Sequence, residues 1–178
     1  MLEFEDALAR VLAAVPASTS EIASLNGAAG RVLAERIQSP IDLPFFDNSA
    51  MDGYALRAAD ITSAKPDSPV RLHLVGKVAA GESFAGEVAA GTCVRLFTGS
   101  PLPSGADAVV MQEETCVESN APGEIQILAP TVPGENVRPR GEAVRRAATL
   151  GEAGEVLTVG RLALLAAVIL AGCARQMA

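Results

Sequence analysis

Aromatic residues are scarce in this chain of 178 residues: they make up 3% of it, with no Trp and a single Tyr. Hydrophobic residues nevertheless account for 49% of the sequence. Small aliphatic side chains must therefore supply most of the core, because the large aromatic side chains that dominate many cores are nearly missing. The length suffices for one domain or two small ones, and for a sizeable core without disulfide or metal staples.

Cysteine and histidine are also few, which argues against two kinds of stabilising site. Three cysteines, Cys93, Cys116 and Cys173, lie far apart in the sequence, and His73 is the only histidine. An odd number of cysteines and the lack of a Cys-x-x-Cys pair argue against a disulfide framework and against a zinc site. We expect reduced thiols and hence a cytoplasmic protein.

Positive charge is in deficit, with 14 basic against 21 acidic residues and a net charge of −7. Such a surface is a poor partner for nucleic-acid phosphates. The most apolar run, 162–172, is well short of the roughly 20 residues that a membrane-spanning helix needs. The acidic residues that follow Met1 are not typical of a signal peptide. The sequence therefore predicts a protein that binds neither nucleic acid nor membrane.

Hydrophobic periodicity predicts a mainly β fold with some α-helix. Apolar residues at helical spacing predict a helix over 2–15, which Pro16 ends. Short apolar runs separated by Gly, Pro, Ser and Asn then predict a β-rich block over about 46–133, as in a β-sandwich or small barrel. The six runs are Gly53–Arg57, Val70–Val78, Thr92–Phe97, Asp107–Gln112, Thr115–Val117 and Glu124–Leu128.

The last part of the chain predicts a second helix. Thr158 can cap a helix over 159–171, and Gly172 is its expected end. This helix is apolar nearly all round, so it must be buried on all sides. Because few residues follow it, we expect that the chain is a fragment or that a partner covers the helix. Segment 31–38 is ambiguous between a strand and a short helix, and 150–157 is predicted to be extended.

The segment from Pro40 to Arg57, PIDLPFFDNSAMDGYALR, concentrates aromatic, acidic and amide side chains. Asp47 and Asp52 offer charged oxygens, and the residues between them offer neutral ones. This donor set is the kind that Mg²⁺ prefers, with water and substrate phosphates completing its shell. A turn whose side chains bond the local backbone explains the same residues, and it is favoured on the residues alone.

Two further segments could bind anions. Backbone amides and hydroxyls in the loop 97–107 could cradle an anion, although a Pro/Gly connector is the better explanation of those residues alone. Four arginines lie within nine residues, at Arg138, Arg140, Arg145 and Arg146. They suit phosphate, or equally ion pairing with Glu135, Glu142 or Glu152.

Taken together, these segments resemble a known family. The run from Asp42 to Arg57 closely resembles the signature of the molybdopterin molybdenumtransferase family, which includes MoeA and the E-domain of gephyrin. Segment 97–114 is similar to the family's second block, and 136–142 to its third. The three blocks occur in the family's order, and the resemblance covers essentially the whole chain.

The resemblance implies an activity and an architecture. Family enzymes insert molybdate into adenylylated molybdopterin with Mg²⁺, releasing AMP and the molybdenum cofactor. They are elongated four-domain chains that form homodimers, with the active site between the pterin-binding domain of one subunit and the second domain of the other. By this resemblance, 1–44 and 134–157 form a small discontinuous α+β domain, 45–133 is its β-rich insert, and 158–178 opens an otherwise absent pterin-binding domain.

The resemblance also implies site residues. Asp52 and Thr98 match positions implicated in catalysis, and Asp52 is also the expected ligand of Mg²⁺. The implied substrate-binding residues are Asn48, Ser49, Gly99, Arg138, Arg140 and Glu142. The family usually continues Arg-x-x-Gly-Glu with Asp, whereas this chain has Ala143 there and retains Glu142. The acidic role of that position is therefore absent unless Glu142 substitutes for the aspartate.

The missing pterin-binding motifs imply that 1–178 alone is inactive. A different reading is a non-catalytic scaffold or dimerisation module, as in the family's eukaryotic relative. A third hypothesis sets the resemblance aside and takes Asp47 and Asp52 as the centre of a Mg²⁺-dependent phosphate-ester hydrolase.

Overall fold

The structure, a computed structural model, describes residues 3–16, 19–79, 81–118, 121 and 123–176. In chain order its helices and strands are α1 (Phe4–Ala14), β1 (Ile37–Gln38), β2 (Asn48–Ser49), β3 (Gly53–Leu56), β4 (Val70–Lys77), β5 (Thr92–Leu96), β6 (Ala108–Met111), β7 (Thr115–Cys116), β8 (Glu124–Ile127), β9 (Val137–Arg138), β10 (Thr149–Gly151) and α2 (Val159–Gln176). Short 3-10 turns occur at Leu25–Gly27, Ala58–Ile61 and Gln112–Glu114.

The chain divides into two compact units. The sheet unit is Gln38–Ala148 with Val168–Ala178, and the terminal unit is Met1–Ile37 with Thr149–Ala167. The predicted domain boundaries, 44/45 and 133/134, differ from these divisions, and they stay predictions about the family's domains.

A six-stranded sheet forms the centre of the sheet unit. Its strand order is β6-β3-β5-β4-β8-β7, and every neighbouring pair is antiparallel except β4 and β5. The edge strands β6 and β7 are joined directly by the turn Gln112–Glu114, and the sheet is a nearly closed barrel. Each strand lies within one of the six predicted runs, so the prediction of a mainly β, barrel-like block is confirmed.

Both faces of the sheet are buried at β3. Successive side chains of a strand point to opposite faces, so Tyr54 and Leu56 enter one apolar cluster while Ala55 enters another. The first cluster also contains Ile61, Leu72, Cys93, Val110, Ile125 and Ile127, and the second contains Val78, Val88, Val94, Leu96 and Val109. Each fully buried Leu, Ile or Val contributes about 1.5–3 kcal/mol. This packing fixes β3, and with it Asp52, the residue that precedes the strand.

Gly53 allows β3 and β6 to approach each other closely. Gly53 pairs with Met111, and a Cβ built on it would overlap the carbonyl oxygen of Val110 and lie 3.1 Å from Cγ1 of Val109. No side chain has room at this position. The glycine of the signature's Asp-Gly pair is therefore required for packing within the sheet, in addition to being a common turn residue.

The segment 38–148 begins and ends at one place. The amide of Ser39 donates to the carbonyl of Ala148 at 2.9 Å, and the amide of Ala147 donates to the carbonyl of Ser39 at 2.8 Å. The two connections of the β-rich segment thus run side by side.

Extended backbone also dominates the terminal unit outside its helices. Val32 forms an antiparallel bridge with Val156, and the amide of Gly30 donates to the carbonyl of Leu157 at 3.0 Å. β1 pairs with β10 farther along. The ambiguous segment 31–38 is therefore extended rather than helical.

The N-terminal helix is confirmed as α1, although Leu2, the first residue of the prediction, lies outside the described residues. None of the residues of α1 is buried. The expectation that Gly172 ends the second helix is wrong, because α2 continues to Gln176. A glycine inside a helix costs only about 1 kcal/mol relative to alanine, and the residues after Gly172 are compatible with a helix.

The second helix is only partly covered. Among its described side chains, Leu165 and Val168 are buried, whereas Val159, Ile169 and Leu170 are exposed. The predicted burial on all sides is thus not supplied by the described part of this chain. None of the described helices combines the length and the apolar character needed to cross a membrane.

Candidate active site at the start of strand β3

Three sequence motifs meet beside the sheet, all within the sheet unit. β2 pairs antiparallel with β9, which places Asn48 opposite Arg138. The amide of Gly99 donates to the carbonyl of Ser49 at 2.8 Å, and the amide of Ser49 donates to the carbonyl of Ser100 at 2.9 Å. Backbone pairing therefore joins the acidic signature segment to both the Thr-Gly-Ser-Pro loop and the arginine-containing segment.

Asp52 and Thr98 form the centre of this arrangement. Oδ1 of Asp52 accepts a hydrogen bond from the amide of Thr98 at 2.8 Å and another from its hydroxyl at 2.7 Å. The amide of Gln112 donates to the carbonyl of Asp52 at 3.0 Å. No described residue donates to the other carboxylate oxygen, Oδ2. Asp52 is thus a half-buried carboxylate with one oxygen fixed and one oxygen open.

These hydrogen bonds also favour the charged form of Asp52. Its pKa lies below the ordinary value chiefly because the amide of Thr98 donates to the carboxylate, and next because the Thr98 hydroxyl does so. Partial burial acts in the opposite direction, and the positive charge of Arg95 lowers the pKa further. Asp52 is therefore ionised at neutral pH, as a metal ligand or an electrostatic partner must be.

The backbone amides of Thr98, Gly99 and Ser100 and the hydroxyl of Thr98 are already engaged, whereas the buried hydroxyl of Ser100 has no hydrogen-bond partner among the described residues. Both donors of Thr98 bond to Asp52, the amide of Gly99 bonds to Ser49, and the amide of Ser100 donates to the carbonyl of Phe97 at 2.9 Å. The loop turns at Gly99 with a φ of 84°, a left-handed conformation that favours glycine. Anion binding by these amides stays a prediction, and it requires that the internal hydrogen bonds be exchanged.

Asn48 and Ser49 form β2, directly before the turn of the chain at 50–52, and both are buried, with exposed fractions of 5% and 0%. The side-chain amide of Asn48 donates to the carbonyl of Phe46 at 3.2 Å, and the hydroxyl of Ser49 donates to the carbonyl of Met51. These are the local bonds by which such side chains stabilise turns. A substrate-binding role for either residue stays a prediction, and it requires that the turn open.

Arg138 and Arg140 are each paired with a carboxylate. Nε of Arg138 lies 3.0 Å from Oε2 of Glu142, and Arg140 donates to Oδ2 of Asp42 through Nε at 2.7 Å and Nη2 at 2.6 Å. The pairing of an arginine with Glu142, considered from the sequence, is therefore present. Exposed ion pairs are weak, so both guanidinium groups remain open to a stronger anionic ligand.

Asp42 organises this segment, and sequence reasoning missed its role. Besides Arg140, Asp42 accepts a hydrogen bond from the amide of Arg146 at 2.8 Å. That bond is the largest cause of its lowered pKa, followed by the side-chain bond from Arg140. Asp47 likewise accepts a hydrogen bond from the amide of Arg140 at 2.7 Å. The only sequence signal was an acidic segment and an arginine-rich one, which does not specify the pairs.

Position 143 offers no carboxylate to this site. Ala143 is exposed, and its amide donates to the carbonyl of Leu43 at 3.0 Å. The neighbouring Glu142 is engaged with Arg138. An acidic role for Glu142 in place of the missing aspartate therefore requires that this ion pair open.

The donor set is compatible with a metal ion that takes one carboxylate from this chain and shares the rest of its shell with water and substrate. The described residues contain no group of three or more His, Cys, Asp or Glu side chains arranged to hold a metal ion. Mg²⁺ usually keeps several waters and takes one or two carboxylates together with substrate phosphates. The open Oδ2 of Asp52 fits one position of such a shell, with water and substrate supplying the rest.

Known proteins of one family match this chain in sequence. The model of the MoeA N-terminal region (domain I and II) matches residues 2–168. The molybdopterin molybdenumtransferase of Haemophilus influenzae is 39% identical over 99% of this chain and 43% of its own length. The protein of the same name from Synechococcus elongatus is 43% identical over 78% of this chain and 34% of its own length. The chain thus spans less than half the length of these curated relatives.

Solved structures agree with the sequence matches. The crystal structure of a molybdopterin biosynthesis moeA protein from Pyrococcus horikoshii OT3 matches 83% of this chain and 38% of that one, with a TM-score of 0.78 and 38% sequence identity. The range matched by the family model, 2–168, includes the three motifs and the six-stranded sheet described above. This chain belongs to the MoeA family and corresponds to its N-terminal region, domains I and II.

Proposed function

We propose that this chain is the N-terminal part of a molybdopterin molybdenumtransferase, a cytoplasmic enzyme of molybdenum cofactor biosynthesis. The proposed reaction of the whole enzyme inserts molybdate into adenylylated molybdopterin and releases AMP. The observation that carries the proposal is the geometry of Asp52, whose carboxylate is fixed by Thr98 while Oδ2 stays open. The name of the curated relatives, molybdopterin molybdenumtransferase, supports molybdopterin and molybdenum as the substrates of the proposed reaction.

The contribution of this chain is positioning and charge, without a protein nucleophile. Thr98 orients the carboxylate of Asp52, and Asp52 presents Oδ2 to a cation shared with the substrate. Asp52 would hold Mg²⁺ through Oδ2, and the metal would supply charge neutralisation for the phosphate groups of the substrate. Arg138 and Arg140 are held nearby in the third motif, where they are proposed to contact the anionic substrate.

The other half of the site is proposed to come from the pterin-binding domain of a second subunit, in a homodimer of the full-length protein. The apolar side chains of α1 support an interface, since Phe4, Val11 and Leu12 are exposed by 73%, 62% and 62%. The same observation supports the second candidate function, a non-catalytic scaffold or dimerisation module. A full-length protein that dimerises but transfers no molybdate would favour that second candidate.

The central test replaces Asp52 with Asn in the full-length protein. Asn retains an oxygen that can accept the Thr98 bonds but removes the charge, so we expect the turn to stay folded. AMP release and cofactor formation should fall by about 100-fold, as when a preorganised electrostatic group is removed from an active site. Asp67→Asn, which removes an equal charge at an exposed turn, is the matched control. Full activity of the Asp52→Asn variant would remove Asp52 from the mechanism.

The 178-residue chain by itself is expected to be inactive, because the proposed site needs the pterin-binding domain. The same AMP-release assay on the purified chain checks this. Turnover by the short chain at the rate of the full-length protein would contradict a composite site.

A further inference from the structure

The end of the sheet beside Asp52 carries two positive side chains that the proposed function has not used. Lys77 ends β4 and pairs with Arg95 on the parallel neighbour β5, and Arg95 lies opposite Tyr54 on β3. Paired positions point to one face of a sheet, so these three side chains form a row. Asp52 directly precedes β3, and Phe97 directly follows β5, the strand that pairs with it.

The contacts between these side chains follow that register. Nζ of Lys77 lies 5.4 Å from the centre of the Phe97 ring, and Cζ of Arg95 lies 5.5 Å from the same centre. Arg95 is also 4.9 Å from the centre of the Tyr54 ring. The aromatic rings therefore hold both cations in place through attraction to the ring electrons. Of the two, Arg95 lies close enough to Asp52 for its charge to act on that carboxylate.

Lys77 and Arg95 have no carboxylate partner within the described ranges of the chain. Among the described residues, no acidic oxygen lies within 4.0 Å of Lys77 or Arg95. Nη2 of Arg95 donates to the side-chain oxygen of Gln112, whereas the buried Nη1 has no hydrogen-bond partner in the part of the chain that the structure describes. A buried donor without a partner is costly, and an acceptor that reaches it removes the cost. Two such cations stand out in a chain whose net charge is −7.

An anionic substrate beside Asp52 needs these charges. The carboxylate of Asp52 repels it, and the amides of the loop that contains Thr98 are engaged in internal hydrogen bonds. Arg138 and Arg140 are ion-paired, whereas Lys77 and Arg95 have no carboxylate partner among the described residues, so their positive charge is not already neutralised. A pair of charged donors suits the several oxygens of a tetrahedral oxyanion.

We propose that Lys77 and Arg95 form an anion-binding subsite beside Asp52 for a tetrahedral oxyanion, which is either a phosphate group of the substrate or molybdate. The subsite deepens the proposed function and rests on it, since it assigns the groups that hold an anion against the charge of Asp52. Phe97 positions both cations and makes no bond to the anion.

The test measures anion binding to the full-length protein by titration calorimetry, without turnover. One arm uses inorganic phosphate and the other molybdate. Lys77→Gln and Arg95→Gln should each weaken binding in at least one arm by about five- to tenfold, the effect of losing one charge-assisted bond at a partly exposed site. The matched control is Arg71→Gln, which neutralises an exposed arginine of β4 that pairs with Glu118 at 3.6 Å.

The arms separate the two sources of the oxyanion. Weakened binding of phosphate alone assigns the subsite to a phosphate group, weakened binding of molybdate alone assigns it to molybdate, and an equal loss in both arms assigns it to either ion. Arg95→Lys, which keeps the charge, should recover part of the lost affinity. Lys77→Gln decides the question should Arg95→Gln fail to fold, because Lys77 is exposed.

Failure of the subsite is distinguishable from failure of the proposed function. Unchanged affinity in both arms, or an equal loss in Arg71→Gln, overturns the subsite even if the protein transfers molybdate. Conversely, selective loss of anion binding in a protein without transferase activity keeps the subsite and rejects the transferase proposal. In an active enzyme, the two variants should raise KM more than they lower kcat, for adenylylated molybdopterin if the phosphate arm is weakened and for molybdate if the molybdate arm is weakened.

Discussion

Replacement of Gly53 with Ala tests whether the packing of β3 determines the geometry of the site. Gly53 is the first residue of β3 and directly follows Asp52. An added methyl group would overlap the carbonyl oxygen of Val110 and lie 2.9 Å from its carbonyl carbon. The neighbouring atoms are backbone atoms of β6 and cannot rotate away, so β3 and β6 must separate.

The size of the effect follows from that separation. Close-packed backbone must move by about an ångström to accept the methyl group, which strains or breaks hydrogen bonds between β3 and β6. Overpacking together with weakened ladder bonds should lower the free energy of unfolding by about 2–4 kcal/mol. Asp52 moves with β3, so its contact with Thr98 should lengthen as well.

Urea denaturation followed by circular dichroism measures the stability, since the chain has no Trp for fluorescence. Gly123→Ala is the matched control. Gly123 directly precedes β8, so it also lies at the start of a strand, but a Cβ there meets nothing within 4 Å. The control should unfold within about 0.5 kcal/mol of the unchanged protein. A Gly53→Ala variant as stable as the control would refute the claim that this close approach requires glycine.

Further predictions concern ionisable groups. Thr98→Val removes the hydroxyl that bonds to Asp52 and should raise the pKa of Asp52 toward the ordinary 3.8, as followed by NMR titration of its carboxyl carbon. Asp42 also has a lowered pKa in the folded chain. Its contribution to stability is therefore fully present above pH 3.8, the pKa expected in the unfolded chain, and is lost as the pH falls through the lower pKa of the folded chain. In the Asp42→Asn variant, the free energy of unfolding should accordingly fall less steeply as the pH is lowered. Burial raises the pKa of the Cys93 thiol to about 12, so an alkylating reagent at pH 8 should modify exposed Cys116 and spare Cys93 in the native protein, as peptide mass spectrometry will show. Modification of both at equal rates would contradict the burial of Cys93.

The strands were predictable because their signals are local. Apolar runs bounded by Gly, Pro and Asn indicate where each strand begins and ends, and all six strands of the sheet lie within such runs. The end of α2 was not predictable in this way, since Gly172 is a weak helix breaker whose effect depends on its neighbours.

The contacts of the site depend on pairings that no local pattern encodes. The resemblance to the family identified both Asp52 and Thr98 as site residues. It did not show that they are hydrogen-bonded to each other, because they lie 46 positions apart in the sequence. The row that contains Lys77 and Arg95 exists only because β4 and β5 are parallel neighbours in a particular register. Sequence reasoning could identify the polar residues of the motifs, whereas their partners follow from the topology of the sheet.

The paired ends of segment 38–148 make that segment a cassette. Because Ser39 is hydrogen-bonded to both Ala147 and Ala148, the flanking chain leaves and resumes at nearly one point. Excising the segment and joining its flanks would need only a very short linker, and its own termini could be fused to make a circular permutant. Exchanging the segment 38–148 between relatives would transfer Asp52, Lys77, Arg95 and Thr98 together. The anion preference proposed for these residues would then be transferred with the segment.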